Sequence, residues 1–352
     1  MHGAASRFWA GSDLTGGRWL RSARTWAVIG VVLLSACSSA PAGPAAKAKA
    51  LEPVAYMLNF VFYGGHAPYF LALEKGYYAD QGLEVQFIEG QGSVTTAKVV
   101  GAGSYPMGEV DGPVIIRSLA EDIPIKAVAG LIQKSPISVI VPRGSGISNP
   151  KGLVGKQLGG TPAGVGEVLL PTWLSMNGVN PDSVQLVSVG AEARNSTLIQ
   201  GQVDGIVGFD TNVPIINAAG GDVIAIHYAD FGLSLPSTSV IVNTTFMKEK
   251  PDVVRRFLAA TTRGWAEARN DPKGAIDALV KHAPPTFKAE QETEALRLLI
   301  QLYHTKRTEG KPVGWMAADD WQDAINLLTE HADLKNKPRL EDAITNEFLP
   351  AS

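Results

Sequence analysis

Cysteine is nearly missing from this chain, because Cys37 is the only one among 352 residues. A single cysteine can form no internal disulfide and no multi-thiolate metal site, so neither crosslink is available to the fold. An excess of basic charge is also missing, since 31 Lys and Arg stand against 34 Asp and Glu, for a formal net charge of -3. Without an extended basic face we expect no nucleic-acid partner, which leaves small molecules and proteins.

A membrane-length apolar run is missing near the N-terminus as well. The run at residues 26–34 has less than half of the roughly 20 residues that a spanning helix needs. Arginines precede it, and small residues follow it in Leu34-Ser35-Ala36-Cys37. This order predicts an export signal over residues 1–36. Leu-Ser-Ala-Cys resembles the bacterial lipobox, whose cysteine is lipidated, so Cys37 is the expected anchor rather than an incidental thiol.

Residues 37–52 read as a linker between this anchor and the folded body. They are rich in Ala, Pro, Ser and Lys, whose side chains are too small or too polar to build a core. We therefore expect a lipid-anchored flexible tether, with the folded body beginning at Pro53. The chain as a whole is 45% hydrophobic and 18% charged, which is ordinary for a globular protein of about two domains.

Short apolar runs alternate with helix-length segments through the body, which predicts a doubly wound α/β architecture. Breaks at 142–146 and 232–237 are rich in Gly, Pro and Ser and mark two candidate crossings between lobes. If the chain leaves one lobe at the first break and returns at the second, residues 143–235 form an inserted lobe 2. Lobe 1 is then built from residues 53–142 and 236–352, and a cleft lies between the lobes.

The segments at residues 66–78 and 81–85 resemble a known family, the solute-binding lipoproteins of bacterial ABC importers for nitrate, sulfonates, taurine and thiamine-pyrimidine precursors. The resemblance extends over nearly the whole body. Its further segments are residues 130–133, 144–147, 153–159, 201–205, 251–258 and 345–350. Much of this signature is scaffold, because Gly76 and Gly82 stand where a helix must end and turn into the next strand.

The resemblance implies a two-lobe periplasmic-binding-protein fold with the ligand cleft between the lobes. It also implies an exported, monomeric protein that faces the periplasm or the cell exterior. Such a protein delivers a small molecule to an ABC permease and its ATPase, with no cofactor and no metal. A shared fold is weak evidence for the identity of the ligand, so the ligand class has to be inferred from the residues of the loops.

Ligand-binding side chains are expected after the strands, since open α/β sheets bind ligands at the carboxyl ends of their strands. The loop at 61–69 carries rings that can stack on a flat ligand, although Tyr69 can equally belong to the core and His66 can equally cap a helix. The loops at 90–93 and 161–166 open helices and offer free N–H groups. The loop at 161–166 is glycine-rich, but no Lys-Ser/Thr pair follows it and its spacing does not match a nucleotide-binding fingerprint.

The remaining loops, at 108–111, 208–212 and 228–231, are acidic, and Glu167 adds a further carboxylate. The nearby cations are only Lys134 and Arg194, so a ligand that donates hydrogen bonds, such as an aminopyrimidine, fits better than nitrate or a sulfonate. Each acid can also be a solvated loop residue or a helix cap. The expected ligand-binding residues are Phe62, Tyr63, His66, Tyr69, Gln91, Ser93, Glu109, Asp111, Thr161, Gly164, Glu167, Phe209, Asp210 and Asp230.

An enzyme is the alternative that the resemblance itself raises. A eukaryotic branch of the family makes the thiamine pyrimidine with iron and pyridoxal phosphate, and it carries a cysteine-rich iron motif. The corresponding region here, residues 235–243, contains no cysteine. Hydrolase signatures such as Gly-x-Ser-x-Gly and His-Glu-x-x-His are missing too. We therefore expect a binding protein rather than an enzyme.

Overall fold

The computed structural model describes residues 50–332 and 334–351, which fold into two five-stranded sheets with flanking helices. The predicted signal peptide (1–36), Cys37 and the predicted tether up to residue 49 lie outside the described residues. The first strand begins at Glu52, so the last residue assigned to the tether already belongs to a sheet. None of the described helices combines the length and apolar character of a membrane span.

The helices and strands of the described residues have the following bounds. The strands are β1 (Glu52–Met57), β2 (Leu83–Ile88), β3 (Met107–Asp111), β4 (Ile125–Gly130), β5 (Ile137–Pro142), β6 (Gln157–Gly160), β7 (Gln185–Ser188), β8 (Gly205–Phe209), β9 (Val223–His227) and β10 (Thr238–Asn243). The α-helices are α1 (Ala67–Glu74), α2 (Tyr77–Asp80), α3 (Ser93–Gly101), α4 (Gly112–Ala120), α5 (Val165–Met176), α6 (Arg194–Ile199), α7 (Asn212–Ala218), α8 (Thr244–Glu249), α9 (Pro251–Asn270), α10 (Pro272–Val280), α11 (Ala289–Ile300), α12 (Ala318–His331) and α13 (Leu340–Ala343).

The two sheets share one plan. The first has the order β2-β1-β3-β10-β4 and the second has the order β7-β6-β8-β5-β9. Three parallel strands form one side of each sheet, and a single strand (β10 or β5) runs antiparallel to both of its neighbours. Each antiparallel strand is the first one that the chain enters after crossing from the other sheet. The parallel strands end at a common edge, which is where such sheets bind ligands.

The first crossing lies earlier than the sequence indicated. We expected the chain to leave the first lobe after residue 142, but β5 pairs with β8 and β9 of the second sheet. The chain therefore changes sheets between Gly130 and Ile137, and the turn at 143–146 lies inside the second sheet's part of the chain. The return lies between His227 and Thr238, around the predicted break. The two connecting segments run side by side, since Ser237 N donates to Ile132 O at 3.1 Å.

Strand β3 corrects a second expectation. Residues 108–111 were assigned to a loop, but they belong to the central strand Met107–Asp111, whose five residues are all buried. Gly108 permits this packing, since a Cβ there would lie 2.7 Å from Met57 O on the neighbouring strand. As a result Glu109 lies inside the first sheet, and only Asp111 reaches the strand's carboxyl end.

Candidate ligand-binding site

A cavity of about 410 Å³ lies between the two sheets at the carboxyl ends of their parallel strands. The segments that follow β1, β2 and β3 line one side, and those that follow β6, β7 and β8 line the other. A third wall comes from the connection between α10 and α11. The expected binding residues that line it are Phe62, Tyr63, Ser93, Asp111, Gly164, Glu167 and Phe209.

The loop after β1 supplies an aromatic wall. Phe62 packs edge-on against Phe70, with ring centroids 5.2 Å apart, and Tyr63 lies edge-on to the buried His66 at 4.3 Å. Across the cavity, Phe209 at the end of β8 lies 6.4 Å from the Tyr63 ring. Rings from both sheets therefore face one space, which suits a flat aromatic ligand.

Asp111 lies at the floor of the cavity and is almost fully buried. It accepts hydrogen bonds from Ser93 Oγ and Ser237 Oγ, both at 2.8 Å, and from Asn59 Nδ2 at 3.4 Å. Burial raises the pKa of this carboxyl, while these hydrogen bonds oppose the rise. The donors fix the carboxylate in place, so it needs little rearrangement to accept a further hydrogen bond.

The second sheet's side of the cavity contributes one acidic and one basic side chain. Glu167 Oε1 accepts a hydrogen bond from Thr161 N at 2.6 Å; burial raises its pKa, and the charge of Arg194 opposes this rise. The Arg194 guanidinium lies 5.5 Å from the Phe60 ring centroid and donates through Nη2 to Asn212 Oδ1 at 3.4 Å. Its Nε is buried without a hydrogen-bond partner among the described residues.

The third wall was not expected from the sequence. It carries Glu292, whose Oε2 accepts a hydrogen bond from Gly64 N at 2.6 Å across 228 positions of the chain. Gly64 has to be glycine, since a Cβ there would lie 2.5 Å from Glu292 O. Burial raises the pKa of Glu292 to about 7. Helix α11 also contacts α7 of the second sheet, so this wall touches both sides of the cavity.

Acceptor groups dominate the charged lining. Among the residues that the structure describes, five carboxylates line the cavity but only two basic side chains, Arg194 and Lys288, do so. Glu89, Glu167 and Glu292 each use one carboxylate oxygen to accept a backbone N–H. The other oxygen of each makes no hydrogen bond within the described residues, so it can accept one from a ligand.

Seven of the expected binding residues do not line the cavity. His66, Tyr69 and Glu109 are fully buried behind it, and Tyr69 belongs to the aromatic core, where its hydroxyl bonds Tyr56 at 2.8 Å. Thr161 reaches the site only through the bond from its N–H to Glu167. The others lie elsewhere: Gln91 and Asp230 are exposed, and Asp210 lies 3.8 Å from His227 Nδ1.

Other residues that line the cavity were not predicted from the sequence. Asn59 and Phe60 line the cavity just after the first strand, which ends at Met57, and neither was among the expected binding residues. Arg194 was noted only as a nearby cation. Their shared signal is position, because each follows a parallel strand. Residues 284–292 carry no such signal, since a helical region with no strand precedes them.

The two sides of the cleft meet beside the cavity. Val94 N, at the start of α3, donates to Ala163 O at 3.3 Å. Gly92 faces the same carbonyl, and a Cβ on Gly92 would lie 2.5 Å from Ala163 O. This contact joins a loop of the first sheet to a loop of the second, so the two sides touch beside the cavity.

Comparison with known families gives one match that covers residues 64–275, to the family described as NMT1/THI5 like. The formylaminopyrimidine-binding protein of Halalkalibacterium halodurans is 25% identical over 91% of this chain and 96% of its own length. The riboflavin-binding protein RibY of Chloroflexus aurantiacus is 24% identical over 93% and 97%. Further relatives bear the name 4-amino-5-hydroxymethyl-2-methylpyrimidine phosphate synthase.

The fold has solved counterparts. The periplasmic aliphatic sulphonate binding protein SsuA from Escherichia coli superposes with a TM-score of 0.62, over 83% of this chain and 97% of that one. Its sequence identity is 15%, so this likeness concerns the fold alone. The expected two-sheet periplasmic-binding-protein architecture is confirmed.

Proposed function

The chain belongs to the NMT1/THI5-like family, and we propose that it is the substrate-binding protein of an ABC importer. In this role it captures a small nitrogen-containing solute, with an aminopyrimidine-like ring favoured, and delivers it to a permease that an ATPase drives. The observation that carries the proposal is the cavity between the sheets, which combines aromatic walls with a surplus of carboxylates. Ligand binding then stabilises the closed arrangement through its differential affinity for that state.

Carboxylates argue for a ligand that donates hydrogen bonds. Asp111 and the free oxygens of Glu89, Glu167 and Glu292 can accept from amino groups, whereas an anion would meet them as like charges. Relatives named for formylaminopyrimidine and riboflavin support a nitrogen heterocycle. An anionic solute such as a sulfonate, taurine or nitrate is the second candidate, and the unpartnered Nε of Arg194 is the observation that favours it.

Catalysis is the candidate of a different class, since some relatives bear the name of a synthase. The greater support for binding comes from the two relatives that match over more than nine tenths of the chain, both of which are named as binding proteins. Recovery of the ligand after incubation separates the two roles, because a binding protein returns it chemically unchanged.

A thermal-shift panel tests the proposal. We expect an aminopyrimidine or riboflavin to stabilise the purified protein, by about 2.7 kcal/mol at 100 times its dissociation constant. Taurine, an alkanesulfonate and nitrate form the other arm of the panel. Stabilisation by these anions alone would move the assignment to the second candidate, and stabilisation by no member of the panel would contradict the proposed ligand classes.

Export and anchoring form the second part of the proposal. We propose that residues 1–36 are a cleaved signal and that Cys37 carries a lipid that holds the protein at the outer side of a membrane. Cys37→Ala is expected to shift the protein from the membrane fraction to the soluble fraction, because no other cysteine is present to take the lipid. Cell fractionation with detection of a lipid label checks this. A variant that stays in the membrane fraction until detergent is added would refute the anchor.

A further inference from the structure

A chain of buried polar side chains lies behind the floor of the cavity. His66 and Glu109 have no solvent exposure, while Asn59 and Asp111 are buried but line the cavity. His66 Nε2 lies 3.0 Å from Asn59 Oδ1 and 3.6 Å from Glu109 Oε2. His66 Nδ1 and both Glu109 oxygens have no hydrogen-bond partner among the described residues.

Hydrogen-bond chemistry fixes the orientation of this chain. Asn59 Nδ2 lies 3.4 Å from Asp111 Oδ2, an oxygen that also accepts from Ser93, so the amide nitrogen is the end of Asn59 that faces Asp111. The carbonyl oxygen of Asn59 then faces His66. Because a carbonyl oxygen only accepts, His66 must carry its proton on Nε2.

His66 can donate this hydrogen bond to Asn59 as a neutral ring. Burial lowers the pKa of His66 to about 3, so the ring is neutral at physiological pH. Burial also raises the pKa of Glu109 well above its usual range, which favours the neutral acid beside the ring. A neutral imidazole has a single N–H, and here the acceptor that it faces most closely is Asn59.

The result at the cavity surface is a donor next to an acceptor. One hydrogen of the Asn59 amide is used by Asp111. The second faces no other acceptor among the described residues than the neighbouring Tyr63 hydroxyl, which is itself without a hydrogen-bond partner there, so a ligand acceptor can take this hydrogen. Asp111 keeps acceptor capacity, since Ser237 Oγ is the one donor that bonds its Oδ1 within the described residues. An N–H and a carboxylate oxygen side by side match a ring edge that carries an acceptor nitrogen next to an amino group, as a 4-aminopyrimidine does.

We propose that His66 is a positioning residue that sets ligand specificity by holding the Asn59 amide in this orientation. Without the His66 donor, the Asn59 amide is free to rotate, and the ligand's ring nitrogen loses its partner. The inference deepens the proposed function and rests on it, because it names the ligand edge that the same cavity recognises. It predicts a loss of selectivity for the ring nitrogen rather than a general loss of binding.

Two probes of matched shape test recognition of the ring nitrogen beside the amino group. 4-Amino-2-methylpyrimidine presents this acceptor, whereas 3-methylaniline keeps the amino and methyl groups but has neither of the two ring nitrogens, so the assignment rests on how the variants change the preference between the probes. Titrations followed by the ligand NMR signals give both dissociation constants. The wild-type protein should prefer the pyrimidine about tenfold or more, since a buried donor without a partner penalises the analogue.

His66→Leu should remove this preference by weakening pyrimidine binding about tenfold while leaving 3-methylaniline binding unchanged. His66→Gln should retain it, because its amide can still donate to Asn59 Oδ1. Tyr78→Phe is the matched control and should behave like the wild type. It removes a buried hydroxyl that hydrogen-bonds Thr261 and none of the four polar residues behind the cavity floor. His66→Phe keeps a ring against Tyr63 and replaces His66→Leu if the latter does not fold.

A fall of equal size for both probes in His66→Leu would show a merely structural role and overturn the inference. An unchanged preference in that variant would also overturn it, and in either case the proposed function survives because the wild type still binds. The wild-type titrations can overturn the inference by themselves. They do so if the wild-type protein does not bind the pyrimidine, or if it binds the pyrimidine no better than 3-methylaniline. The thermal-shift panel then decides separately whether the proposed function stands.

Discussion

Gly92→Ala is expected to weaken ligand binding at least tenfold and to block closure of the cleft. Gly92 has φ of 122°, and a Cβ there would lie 2.5 Å from the backbone oxygen of Ala163 on the opposite side. Backbone cannot yield as a flexible side chain can, so the two sides must stay farther apart. A ligand that binds the closed state then loses affinity in proportion to the lost population of that state. Calorimetry with the best ligand of the panel measures the loss.

Gly146→Ala is the matched control. Gly146 also has a positive φ, of 71°, but a Cβ there would meet no neighbouring atom within 4 Å. The substitution therefore introduces backbone strain without a steric block at the cleft, and ligand affinity should stay near that of the wild type. Small-angle scattering with saturating ligand should show compaction for the control and none for Gly92→Ala. Equal affinity and equal compaction in the two variants would contradict closure through this contact.

Glu292→Gln is expected to raise the free energy of unfolding at pH 8. The pKa of Glu292 is about 7 in the folded protein, against an ordinary value of 4.5. A raised carboxyl pKa means that the folded state binds the proton more tightly, so stability falls as pH rises from about 4.5 to 7 and stays lower above that. The difference corresponds to an upper limit of about 3 kcal/mol, and glutamine removes this penalty while it can still accept from Gly64 N.

Denaturant unfolding at two pH values checks this sign. The gain should reach about 1 to 3 kcal/mol at pH 8, since part of it is offset by the weaker hydrogen bond of a neutral acceptor. It should be small at pH 5, where the folded protein holds Glu292 largely protonated. Glu294→Gln is a suitable control, because Glu294 is an exposed acid of the same helix. A gain of the same size at both pH values would contradict the burial of an ionised Glu292.

Local patterns were sufficient to predict much of the fold. The alternation of short apolar runs with helix-length segments correctly predicted an α/β architecture, because short runs between turn residues leave few alternatives. Strand β3 was missed for a physical reason. Glu109 and Asp111 make its sequence polar, and no local pattern shows that they can be buried. The bonds from Ser93 and Ser237 offset the burial of Asp111, whereas burial raises the pKa of Glu109 and so favours its neutral form.

The site was harder to predict than the fold. Position after a strand correctly indicated where lining residues lie, but it could not distinguish side chains that face the cavity from those that face the core. Tyr69 and His66 illustrate this, since both follow β1 and both point into the first sheet's interior. Glu292 joins the site through a contact with Gly64 that spans most of the body, and no local pattern encodes such a contact.

If the cavity holds its solute through carboxylate acceptors, calorimetry on two neutralised acids of the second sheet's side will show it. The best ligand of the panel is titrated into Glu167→Gln and Asp210→Asn beside the wild-type protein. Glu167 lines the cavity, whereas Asp210 lies on the same sheet outside it. Glu167→Gln should weaken binding by about 1.5 to 3 kcal/mol, the contribution of a hydrogen bond to a charged group, and Asp210→Asn should leave it unchanged. Tighter binding by Glu167→Gln would contradict recognition by carboxylates, because it would show that the carboxylate repels the solute.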